Sequence, residues 1–152
     1  LVGVDPRGFG VAAADTCNSS EFFDPYGSDY LYASTGEMLG ESYLGRRVYD
    51  VERVLDFLVS KGAVEVDLVG RGLGSVIVAF AGLLHPQTAH VKLIDYLPSF
   101  ADLTRDPLAR WPLSSLPRGV LSSFDLPDVY AALGDRLELT SAWNARMQEG
   151  SS

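Results

Sequence analysis

The feature that most constrains this chain is a change of pattern near its middle. Val64, Val66, Leu68 and Val69 form an apolar run of strand length. The run enters Gly70-Arg71-Gly72-Leu73-Gly74-Ser75 and leaves as Val76-Ile77-Val78-Ala79-Phe80-Ala81-Gly82-Leu83-Leu84, which is apolar on every side. A strand that passes through a glycine-rich turn into a buried helix needs its two backbones close together, and glycine permits that approach. Pro86 stops the helix. A chain built around this unit must lay a helix on a sheet.

The flanking segments repeat the theme. Leu44, Val48, Val51, Leu55 and Leu58 recur at three- and four-residue steps and predict an amphipathic helix. Arg46, Arg47, Asp50, Glu52, Arg53 and Asp56 lie between them, and the Asp and Glu of the helix read as a solvated face. Lys61 suits the last turn and Gly62 the C′ position. Val91, Leu93 and Ile94 read as a strand closing on Asp95. An irregular stretch with Pro98, Pro107, Pro112 and Pro117 follows. Asp125 can cap a helix with Pro127 in its first turn and Gly134 at its end. Leu137 and Leu139 supply a last strand, and Val2 and Val4 a first one ending at Asp5-Pro6-Arg7-Gly8-Phe9-Gly10. Ala12 to Ser34, including Glu21-Phe22-Phe23-Asp24-Pro25-Tyr26, reads as a long surface excursion or lid. Alternating strands and helices predict an α/β protein: three layers, α/β/α, with a mostly parallel sheet. One domain over 1–147 and a polar tail over 148–152 account for the chain.

Composition narrows the function. The 152 residues are 47% hydrophobic and 21% charged, a mixture that can bury a core and that excludes disorder as the main reading. With 12 basic and 20 acidic residues the net charge is 12 − 20 = −8. That balance argues against nucleic acid and against anionic membrane surfaces, since both call for clustered Lys and Arg. The longest apolar run, Val76 to Leu84, is too short to span a bilayer. One cysteine, Cys17, cannot form an internal disulfide, and two histidines argue against a His-based zinc centre. Leu1-Val2-Gly3-Val4 reads as the inside of a strand, as expected of a fragment, so the compartment stays open.

Ligands of parallel sheets bind beyond the carboxyl ends of the strands. Two chemistries suit a glycine turn there. One is dinucleotide binding: Gly70-x-Gly72-x-x-Ser75 approaches G-x-G-x-x-G, and Asp95 ends the next strand near the spacing of a ribose ligand. The other is a nucleophile elbow, G-x-S-x-G, with Gly70 and Gly74 as its outer glycines. In that frame the nucleophile position is Gly72, and Ser75 comes one turn too late. Elsewhere, His85 and His90 read as solvated residues near a helix end, and Trp111 and Trp143 as packing residues. Asp5 and Arg7 can pair to fix a loop, Asp95 reads as a strand-end carboxylate holding a neighbouring loop, and Cys17 has no evident base.

The surrounding residues favour the elbow. Asp5-Pro6-Arg7-Gly8-Phe9-Gly10 resembles the D-x-R-G-x-G turn that precedes the elbow in α/β-hydrolases. Leu116-Pro117-Arg118-Gly119-Val120-Leu121, Phe124-Asp125-Leu126-Pro127-Asp128 and Ala131-Ala132-Leu133 resemble a stretch of the acetyl-xylan-esterase-like group of that fold, as do Tyr32-Ala33-Ser34 and Arg47-Val48-Tyr49-Asp50-Val51. The resemblance implies a Ser-Asp-His triad and hydrolysis of carbohydrate acyl esters. It places the acid near Ser141-Ala142-Trp143-Asn144, where no carboxylate stands, and the base beyond Ser152. The Leu73 N–H remains as one oxyanion donor. A non-catalytic domain with a vestigial elbow is therefore expected, needing no cofactor and attached to another domain or to a carbohydrate-active partner. An active esterase using residues outside this chain is the alternative, and a dinucleotide module the third reading.

Overall fold

The computed structural model describes residues 1–13 and 27–149. Cys17 and the aromatic stretch Glu21–Tyr26 lie outside the described residues. Three parallel strands, β1 (Val66–Arg71), β2 (Thr88–Tyr96) and β3 (Leu137–Ala142), form one sheet in the order β1-β2-β3. Helix α3 (Leu73–Leu84) crosses from β1 to β2, and α4 (Phe100–Arg105) and α5 (Leu126–Leu133) lie between β2 and β3. Helices α1 (Gly27–Met38) and α2 (Tyr43–Ser60) precede the sheet. The α/β class and the parallel sheet predicted from the alternation are present.

The core follows from the pattern that predicted it. Register sets Leu68 beside Val91 and Gly70 beside Leu93, and Val91 and Leu93 beside Leu137 and Leu139. That row faces the helices: Val91 and Leu93 pack with Ala79 of α3 and with Val129 and Leu133 of α5. Gly82 makes the close fit possible, because a Cβ there would stand 2.4 Å from Val91 Cγ2. On the other flank of α3, α2 contributes Leu44, Val48, Val51 and Leu55 to a cluster with Val76 and Ile77. Right-handed crossovers that step the same way along the sheet put α3 and α5 on one face. The opposite face carries Asp67, Val69, Arg71, Lys92, Ile94, Glu138 and Thr140. A third layer would require helices there; among the described residues the helices cover one face.

Helix ends match their sequence signals. Ser42 Oγ accepts from Gly45 N–H at 3.1 Å and caps α2. Asp125 and Asp128 form a capping box on α5, with Pro127 in the first turn and Gly134 as the C-cap. Several expectations need correction. Val2–Val4 is not a strand, because among the described residues nothing pairs with it in a ladder. The end of the stretch read as a long excursion, from Gly27 to Ser34, belongs to α1, and the proline-rich irregular stretch contains α4, capped by Ser99. The buried helix begins at Leu73, three residues before its continuous apolar run. β2 begins at Thr88, so His90 lies within the strand rather than ahead of it.

Candidate functional site

The carboxyl ends of the three strands converge on one small region. β1 ends in the turn at Gly72, which has φ 54° and ψ −122° and stands at the N-cap of α3. The left-handed φ costs glycine little. Its N–H donates to Ile94 O at 2.9 Å, tying the turn to the end of β2. Gly70 is required by packing: a Cβ there would lie 2.6 Å from Gly74 O and 2.9 Å from Ser75 Cα. Strand and helix thus touch backbone to backbone. The sharp strand-to-helix turn that presents a nucleophile in G-x-S-x-G enzymes has the same requirement.

The chemistry expected of such a turn is missing around it. Gly72 has no side chain, and the position its Cβ would take lies 3.5 Å from Trp143 Cζ3. The indole therefore covers the apex. Trp143 is held there by its backbone N–H, which donates to Tyr96 O at 2.8 Å, and by packing against the main core cluster. Ser75 is fully buried, and its Oγ donates back to Gly72 O at 2.6 Å, so the only hydroxyl in the turn points away from solvent. Leu73 leads α3 with its N–H in the first turn, where a helix leaves its amides unpaired.

The expected acid position is occupied by a turn. Asn144 Oδ1 accepts from Arg146 N–H at 2.9 Å and from Gln148 N–H at 3.2 Å. Its backbone carbonyl accepts from Trp111 Nε1 at 3.0 Å, which satisfies the indole N–H of a tryptophan buried in the core cluster. Asp95 has φ 54° and Ser141 has φ 56°, so the ends of β2 and β3 both turn through the left-handed region. The Asp95 side chain is 6% exposed and accepts from Arg71 Nε at 2.5 Å. It is therefore a strand-end carboxylate that holds the end of the neighbouring strand β1, rather than a loop. A ribose would have to displace Arg71 to reach it.

Neither histidine reaches the turn. His85 caps the far end of α3, and twelve helical residues at about 1.5 Å each set it roughly 18 Å away. It is not solvated as its position at a helix end suggested. It is 5% exposed, with Nε2 3.4 Å from Asp56 Oδ1 and Nδ1 buried without a partner. His90 is exposed on β2.

A second cluster was missed by sequence reasoning. Arg47, which the sequence shows only as a polar residue between the apolar positions of α2, is 3% exposed. Its Nε donates to Arg7 O at 2.9 Å, Nη1 to Ser114 Oγ at 2.6 Å and Nη2 to Asp29 Oδ1 at 2.8 Å. The guanidinium lies 4.5 Å from the ring centroids of both Phe9 and Tyr43. Gly8, at φ 80°, leaves room for it: a Cβ there would meet Arg47 Nη2 at 2.7 Å. Asp5 and Arg7 do not pair. Asp5 accepts from Val11 N–H at 3.2 Å, and Arg7 grips Asp50 of α2 through Nε at 2.8 Å and Nη2 at 2.5 Å. That grip holds the Asp50 carboxyl below its ordinary range and raises the Arg7 guanidinium. The available signal was phase: Arg47 falls three residues after Leu44 and four before Val51, on the apolar stripe. The D-x-R-G-x-G segment is thus a structural turn clasped by α2.

No helix among the described residues is long and apolar enough to cross a membrane. Nor do they contain a group of three or more His, Cys, Asp or Glu side chains placed to hold a metal ion. Comparison with known proteins yields no match to a family model, a curated protein or a solved structure.

Proposed function

We propose that this chain is a non-catalytic α/β-hydrolase-like domain, of the acetyl-xylan-esterase-like lineage that its sequence blocks resemble. It works as a scaffold for another domain or a carbohydrate-active partner. One observation carries the reading: the backbone of an elbow is retained at Gly70-Arg71-Gly72-Leu73-Gly74 while its apex has no side chain and is covered by Trp143. Packing between strand and helix demands the outer glycines whether or not chemistry occurs, so the turn can outlast its nucleophile. Acyl transfer would need a nucleophile with a base within about 2.6–3.2 Å. Gly72 provides no nucleophile, and both histidines lie away from the apex.

The test is nitrophenol release from an aryl acetate by the parent protein and by Gly72→Ser. Neither is expected to exceed buffer, because a serine hydroxyl without a base is a weak nucleophile. Release by the parent that disappears in His85→Ala or His90→Ala would overturn the reading. So would a large gain from Gly72→Ser alone.

A further inference from the structure

A cleft of about 470 Å³ opens between the end of α1, the turn into α2 and the segment 113–119. That volume falls within the roughly 300–1,000 Å³ of small-molecule sites. Among the described residues none before Ala33 lines it, so it does not involve the leading segment. Ala33, Leu113, Leu116 and Pro117 give it an apolar wall. Three charged side chains stand around that wall: Glu37, Glu41 and Arg118.

Most polar groups at the cleft already have partners. Ser42 Oγ caps α2, Ser114 Oγ donates to Asp29 Oδ1 at 2.7 Å, and Glu41 pairs with Arg46. Two charges remain. Glu37, half-buried in the last turn of α1, and Arg118, exposed beside Gly119, make no ion pair or side-chain hydrogen bond among the described residues. They line one cleft and yet do not pair with each other. A simple anion there would be repelled by Glu37, and a simple cation by Arg118. A molecule that carries both charges satisfies both side chains, and the wall between them calls for an apolar body.

We infer that this cleft is a binding site for a small zwitterion with an apolar side chain, an α-amino acid or a dipeptide. Its ammonium group pairs with the Glu37 carboxylate. Its carboxylate meets the planar fork of the Arg118 guanidinium. Its side chain lies against Ala33, Leu113, Leu116 and Pro117. This inference does not depend on the elbow reading, and its test does not touch Gly72.

The probes are L-leucine and L-leucyl-L-leucine, each titrated into the whole chain and followed at the amide signals of Gly40 and Gly119, which line the cleft. At least one is expected to bind with a Kd of about 1 mM or tighter, and the tighter of the two distinguishes amino acid from dipeptide. The N-acetyl and the amide derivatives of that ligand, each lacking one charge, should bind at least about tenfold more weakly. Arg118→Gln should weaken the free ligand about tenfold but leave the amide derivative unchanged, and Glu37→Gln should do the same for the N-acetyl derivative. These ratios, rather than affinity alone, are read, so a general loss of stability does not imitate the result. No shift of either signal up to about 10 mM of both probes, derivatives that bind as well as the free ligand, or variants that weaken both derivatives equally would each overturn the inference.

Discussion

Replacing Arg47 with Met should cost this chain a large share of its stability. The guanidinium is 3% exposed and joins four parts of the chain: the leading segment through Arg7 O, α1 through Asp29, the turn at Ser114, and α2 itself. Methionine fills much of the same volume but donates nothing. Asp29 then keeps a carboxylate whose Oδ1 retains only the Ser114 hydroxyl at 2.7 Å and whose Oδ2 is already buried without a partner. Breaking one side of a buried ion pair costs about 3–5 kcal/mol. Asp29 remains 26% exposed, which lets water screen part of the loss and places the expectation near the lower end, about 3 kcal/mol. With a urea m-value of about 2 kcal/mol/M, the midpoint should fall by roughly 1.5 M at unchanged m. Arg47→Lys should fall between the parent and Arg47→Met, since an ammonium cannot lie flat between Phe9 and Tyr43 and reach three acceptors at once. Adding Asp29→Asn to Arg47→Met should recover part of the loss by removing the stranded charge. A midpoint shift of less than about 0.5 M for Arg47→Met, or a double variant no more stable than the single, would refute the argument.

Two further expectations concern the elbow and acid. Gly70→Ala forces a methyl into backbone atoms 2.6–2.9 Å away that cannot move independently, which should cost about 2–3 kcal/mol. Gly72→Ala meets only an ordinary 3.5 Å contact with Trp143 and should cost about 1–3 kcal/mol for a backbone at φ 54°, ψ −122°; a Gly70→Ala variant as stable as the parent in urea melts would show that the turn is not packed as described. Asp50 is depressed by hydrogen bonds from Arg7. At Asp125 burial opposes ionisation, but bonds from Ser99 Oγ and the N–H groups of Leu126, Phe100 and Ala101 outweigh it and leave the carboxyl lowered. A carboxyl held lower in the folded chain contributes stability above its unfolded pKa and loses it as pH falls through the folded one. The melting temperature should therefore hold down to about pH 5 and fall steeply below about pH 4. Asp50→Asn should flatten that slope, and an acid slope unchanged in both Asp50→Asn and Asp125→Asn would sink the assignment.

What the sequence disclosed and what it hid divide along a physical line. Periodicity is a local property, so α2 was legible from Leu44 to Leu58, α5 from its capping residues and α3 from its apolar run. Burial of a polar group depends on partners distant in sequence. Arg47 is buried because Asp29, Ser114 and Arg7 O converge on it from 18, 67 and 40 residues away. His85 sits at a helix end, where solvent is the ordinary expectation, yet it is covered. The segment Val2–Val4 fails for a related reason. Its alternation is that of a strand, but a strand exists only as a pair, and among the described residues no backbone bond links it to β1. The elbow lies between the two cases. Glycine spacing made the turn legible, because Gly70 and Gly74 answer to a contact within five residues. The cover over its apex was not legible, because Trp143 arrives from the end of β3 and takes its position from Tyr96 O. A glycine turn in a sequence therefore specifies that strand and helix meet; what the meeting can do depends on the residues that other strands bring to the same edge.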